Sequence, residues 1–120
     1  MSAKMRPTIV CLCGSSRFLD AFRKANLEET LAGQIVLSIG CDMRTDADIF
    51  GKMTQEERTE VKEQLDELHL HKIDLADEVL ILNVGGYVGK STFRELIHAY
   101  ASRKQIRWLE PDKAIKIEEA

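Results

Sequence analysis

The strongest constraint on this chain is the order in which short apolar runs and amphipathic stretches alternate along it. Thr8 to Cys13 (TIVCLC) is β-branched and apolar and is ended by Gly14, which predicts a buried strand. Arg17 to Leu31 places Phe18, Phe22 and Ala25 at helical spacing among polar residues, and Gly33 supplies a stop. Gln34 to Ile39 is a second buried strand. Gly40 to Met53 has no period and is rich in Asp, Gly and Thr, so it reads as a long loop, with room for one short helical turn. Thr54 followed by Glu57 is a capping-box signature. The helix it opens runs to between His71 and Ala76, with Val61, Leu65, Leu68 and Leu75 as its apolar stripe. Glu78 to Asn83 is a third strand and Val84 to Lys90 a glycine-rich loop. Ser91 to Arg103 is a third helix, with Phe93, Leu96, Ile97 and Tyr100 on its apolar side. Ile106 to Leu109 is a fourth strand, ended by Pro111, and the tail after it has room for a short strand or helix.

A β-α-β-α-β-α-β order whose central strands are apolar on both faces predicts an α/β fold. Its parallel sheet of four to five strands would lie between two helix layers, doubly wound in the flavodoxin-like or Rossmann-like manner. The 120 residues suit one domain, with 1–7 and 112–120 as peripheral tails. Sheets of this kind bind ligands beyond the carboxyl ends of their strands. Three loops would meet there: 13–17, 40–53 and 83–92.

Composition narrows the partners. A formal net charge of -3 argues against a nucleic-acid polymer, which needs a basic face, yet allows a small anion held by a few local donors. No apolar run is long enough to span a membrane, and the stretch from Ile9 to Cys13 is too short for a signal peptide's core. Three cysteines, an odd number, fit reduced thiols in the cytoplasm. Cys11 and Cys13 face the same side of their strand. A Cys-x-Cys pair can ligate a metal, but two buried thiols packing as small hydrophobes is the simpler reading. Neither a metal nor a cofactor is expected.

The first loop is the firmest functional feature. Gly14 permits a tight turn, Ser15 and Ser16 offer hydroxyls beside the free amides of a helix start, and Arg17 can fork onto an anion. The structural alternative is a serine that only caps the helix and an arginine that only meets water. The third loop adds Asn83, Gly86, Tyr87, Gly89, Ser91 and Thr92 as candidate ligand contacts. Its Gly89-Lys90-Ser91 ending imitates a P-loop, but the spacing G-x-x-x-x-G-K-[ST] would need glycine at position 84, which is Val84. Asp46, Asp48, Gly51 and Glu57 imitate a calcium loop, yet its fifth ligand position would be Phe50, which has no oxygen to give. Asp42, Arg44, Asp46 and Asp48 would suit a polar lid. His69 and His71 do not share a helical face, so they make a poor metal pair.

Glu95 has two readings. It follows Thr92 by three, as in a capping box. It would also present a carboxylate at the first turn of a helix facing the ligand loops, where an ionised carboxylate can attack an anomeric carbon.

Cys13-Gly14-Ser15-Ser16-Arg17 after a strand resembles the glycine-serine-arginine loop of the deoxynucleoside 5′-monophosphate N-glycosidases. Ala76-Asp77-Glu78-Val79, a strand, a glycine-rich loop and Glu95-Leu96 with Ala99 resemble the second half of the same nucleoside 2-deoxyribosyltransferase-like superfamily, over about residues 8 to 110. The stretches Glu67 to Asp77 and Gly86 to Thr92 are most similar to small bacterial and phage proteins of that superfamily. The resemblance implies a glutamate nucleophile, Glu95, and a covalent glycosyl-enzyme on a nucleotide or nucleoside, completed by water or a second base. It places Gly14, Ser16 and Arg17 near the sugar or its 5′-phosphate and implies a homodimer. Two positions depart from it. Cys11 stands where the family carries a tyrosine, and His69 where it carries the aspartate that holds the sugar or protonates the base. His69 is therefore the second catalytic candidate. A nucleotide-sensing module that kept the pocket and lost the acid is the alternative.

Overall fold

The computed structural model describes residues 5–40 and 50–117. Strand β1 (Ile9–Cys13) is the centre of its main sheet, flanked by β2 (Ile35–Leu37) and β3 (Glu78–Ile81), with β5 (Gln105–Trp108) beyond β3. All three pairings are parallel, and Val10 lies opposite both Val36 and Glu78. The order β2-β1-β3-β5 is that of a flavodoxin-like sheet, in which the order of strand addition reverses between β1 and β3. The expected α/β architecture is thus present, with four strands in the sheet. A second, two-stranded parallel sheet pairs β4 (Tyr87–Val88) with β6 (Lys116–Ile117), so the tail supplies a strand that backs the glycine-rich loop.

Strand alternation divides the core in two. Val10, Leu12, Leu80 and Leu82 pack with Phe22 and Ala25 of helix α1 (Leu19–Leu31). Cys11, Cys13, Val79 and Ile81 face the other way, onto α2 (Gln55–Leu75) and α3 (Lys90–Ala101). The sheet is covered on both faces, as parallel strands without a polar face require.

The capping box at Thr54 and Glu57 forms as expected and depresses the Glu57 carboxyl by its hydrogen bonds to Thr54. The first helix departs from expectation at its start. Ser16 to Phe18 make a tight 3-10 turn, and α1 begins only at Leu19, which frees Phe18 to stack edge-on against Tyr87 at 5.7 Å.

The larger correction concerns the apolar stripes. Leu65, Leu68 and Leu75 are 48%, 50% and 68% exposed, and Ile97 and Tyr100 also face outward. Phe93 and Leu96 do pack against the core from the expected side of α3, but the sheet also receives His69 and Ile73 from α2, and Thr92, Glu95 and Ala99 from α3. Periodicity picks the most apolar line on a helix. Here the line pressed to the sheet carries three polar side chains, a conflict between local pattern and fold of the kind that accompanies functional sites.

Candidate active site

Each candidate side chain has a local reason for its position. β1 ends at Cys13, and Gly14 follows because β3's continuation runs close by: a Cβ there would stand 3.0 Å from Leu82 Cβ and 3.4 Å from the Phe22 ring. Ser15 caps the 3-10 turn, accepting from the Arg17 amide at 3.3 Å, and Ser16 is exposed. The Arg17 guanidinium lies 4.3 Å above the Tyr87 ring, a cation–π contact that joins the first loop to the third.

In the third loop, Asn83 is buried and both its amide groups are engaged, Nδ2 donating to the Glu110 carbonyl at 3.0 Å and Oδ1 accepting from its amide at 2.9 Å. It ties the loop to the end of β5. Gly86 adopts φ +87°, and an added Cβ would collide with the Ala114 carbonyl oxygen, so the tail's close approach demands glycine there. Gly89 is the N-cap of α3 and offers no side-chain cap, which leaves the helix's first amides without one. Ser91 is exposed and Thr92 buried.

That helix start decides between the two readings of Glu95. With Gly89 as N-cap, Thr92 is the third residue inside α3 and not its cap, so the capping box does not form. Glu95 lies a turn deeper than the first-turn position expected of it, 8% exposed, pressed toward the carboxyl end of β1. Its Oε1 is buried and has no hydrogen-bond partner among the described residues. Burial pushes the carboxyl up to about 7, with the neighbouring His69 charge pulling in the opposite direction.

The histidine that meets Glu95 comes from α2. His69 is 5% exposed, its Nε2 3.8 Å from Glu95 Oε1, 3.6 Å from Cys11 Sγ and 3.5 Å from Cys13 Sγ. Burial lowers its pKa, but the Cys11 hydrogen bond and the Glu95 charge outweigh that and leave it raised. The two thiols split their titration. A hydrogen bond from Cys13 brings Cys11 down to about 6, against its burial and with help from His69. Cys13 is driven well up by donating that bond and by its own burial. The structure therefore unites Glu95 and His69 with two cysteines that sequence reasoning assigned to packing. Two signals in the sequence pointed there: the same-face Cys-x-Cys, and His69 four residues before the buried Ile73.

Similarity to solved structures now has a site to be set against. The chain is similar to a 2-deoxyribosyltransferase from the psychrotolerant bacterium Bacillus psychrosaccharolyticus, with a TM-score of 0.56 and 17% identity over 93% of this chain and 86% of that one. The two share a fold. No family model and no curated protein sequence matches the chain.

The other histidines have other partners: His98 pairs with Asp74 at 2.7 Å and His71 lies 3.7 Å from Glu67. Asp77 accepts from the Ile9 amide at 2.8 Å and from Arg6, a strand-start role. Asp42, Arg44, Asp46 and Asp48 lie outside the described residues, as does Cys41. Among the described residues, no helix is long and apolar enough to cross a membrane.

Proposed function

We propose that this chain is an enzyme that cleaves or transfers at the N-glycosidic bond of a nucleotide or nucleoside, with Glu95 as nucleophile. The observation that carries the reading is the buried carboxylate whose Oε1 has no hydrogen-bond partner among the described residues, held beside the end of β1 where doubly wound sheets bind ligands. Folding around an unsatisfied buried carboxylate is costly, and such groups concentrate where chemistry needs them.

In this reading the ionised Glu95 attacks C1′, the base departs, and a covalent glycosyl-enzyme forms. Water or a second base then releases the sugar. The uncapped start of α3 and the loop bearing Arg17 offer amides and a cation to an anionic group on the substrate. Tyr87, already stacked with Phe18 and Arg17, gives a flat face for a base or sugar. His69 takes the place of the leaving-group acid, its raised pKa keeping a share protonated near neutrality. The likeness in fold to a 2-deoxyribosyltransferase agrees with this chemistry, and a homodimer belongs to the same proposal.

The test uses the full chain, stripped with a chelator, and a panel of ribo- and deoxyribonucleoside 5′-monophosphates, with free base measured by chromatography. Wild type should release base, and Glu95→Ala should abolish release while circular dichroism reports an unchanged fold. If wild type binds a nucleotide calorimetrically yet releases no base from any, the enzyme reading fails. The nucleotide-sensing module then stands.

A further inference from the structure

We propose that Cys11, Cys13 and His69 form a binding site for a soft divalent metal ion of the zinc type. The inference goes beyond the glycosidic reading and does not need it.

The donor positions carry the argument. A strand's two-residue period throws both thiols onto one face, and α2 lays His69 across them. The two sulfurs and Nε2 all lie within 4.8 Å of one another, with Nε2 at 3.6 and 3.5 Å from Cys11 and Cys13. Tetrahedral zinc holds sulfur at about 2.3 Å and nitrogen at about 2.0–2.1 Å, which sets neighbouring sulfur and nitrogen donors roughly 3.5 Å apart. The sulfur–nitrogen spacing needed is already present. The fourth corner is left to a water: Glu95 Oε1 pairs with Nε2 at 3.8 Å but does not belong to the set of donors within 4.8 Å of one another.

The chemistry of the set selects the ion. Two thiolates and an imidazole favour zinc or its soft neighbours over magnesium and calcium, which prefer oxygen. On ligation each thiol releases its proton to solvent, so the two thiolate charges cancel the ion's and His69 binds as the neutral imidazole. A disulfide suits the pair less well. Residues two apart in an extended strand have Cα atoms about 6.6 Å apart, at the outer limit of the bridging range, with parallel side chains.

The experiment strips the full-length, reduced protein with a chelator and titrates it anaerobically with cobalt(II) alone. Binding at one ion per chain is expected, with an intense thiolate-to-cobalt charge-transfer band and the visible bands of a tetrahedral centre, both abolished by added zinc(II). Cys13→Ala should remove about half of the charge-transfer intensity. Cys41→Ser should leave it unchanged. X-ray absorption on the zinc-loaded wild type, which depends on no variant, should find two sulfur and two nitrogen or oxygen neighbours. A cobalt spectrum without thiolate bands, a band that follows Cys41 instead of Cys13, or a zinc shell of nitrogen and oxygen alone would each overturn the proposal. Base release by the metal-free protein is a separate measurement, so the two readings fail independently. A metal-loaded chain has lost His69 as an acid, and its base release should fall if both hold.

Discussion

At the scale of single residues, Glu95 is the position where stability and function pull apart. Its carboxyl ionises near 4.5 in the unfolded chain and near 7 in the folded one, where burial, helped by the nearby Cys11 and Asp66, outweighs the pull of His69 and of the Cys13 hydrogen bond. The folded state therefore holds that proton more tightly. The stability this confers is complete below 4.5 and lost as pH rises through 7. Glu95→Gln keeps the shape and removes the ionisation, so the variant should be more stable than wild type at pH 8 by up to about 3 kcal/mol, with the gap closing near pH 5. Urea unfolding at the two pH values measures it, and a variant that is less stable at pH 8 would refute the account. The sequence marked Glu95 as a choice between cap and nucleophile. It could not resolve that choice, because both depend on where the helix starts, and a start at Gly89 shows only in the backbone.

Among the elements, helix ends show the contrast between what is written locally and what is not. Gly33 stops α1 in a left-handed turn of φ +86°, where the Gly33 and Gln34 amides bond back to Thr30 and Glu29, and glycine announced that turn in advance. α3 ends with the same pattern, the Arg103 and Lys104 amides bonding to Tyr100 and Ala99. Here, however, an arginine takes the left-handed position at φ +60°. A side chain there is strained by roughly 1–2 kcal/mol. Arg103→Gly should thus stabilise the protein by about 1 kcal/mol, raising the thermal midpoint by a few degrees; an unchanged or lowered midpoint would mean that the Arg103 side chain makes up the difference. Leu65, Leu68 and Leu75 of α2, and Ile97 and Tyr100 of α3, face outward for a related reason. Spacing reveals that a helix has an apolar line, but the line that meets the sheet is chosen by where β1 and β3 put their own side chains.

For the whole molecule, one cation ties three elements together. Arg107 on β5 bonds to Glu29 of α1 and to Glu78 of β3, whose side chains are only 13% and 12% exposed. Replacing it with alanine leaves two largely buried carboxylates without their shared cation. We expect Arg107→Ala to cost about 2–3 kcal/mol, seen as a lower urea midpoint at unchanged slope. Removing Arg6 from its exposed pair with Asp77 should lower the urea midpoint far less. No local pattern foretells the Arg107 cluster, since its members lie 29 and 78 positions apart in the chain.

The sequence by itself determined the parallel sheet, because strands such as TIVCLC and EVLILN are apolar on both faces and can be stable only between two helix layers. It also marked the loop from Gly14 to Arg17 and the capping box at Thr54, whose signals lie within a few residues of one another. Tertiary structure alone decided that Cys11, Cys13, His69 and Glu95 converge. Those side chains come from β1, α2 and α3, and their meeting depends on how two helices roll on the sheet. That rotation minimises the energy of the whole packed interface, and no single segment records it.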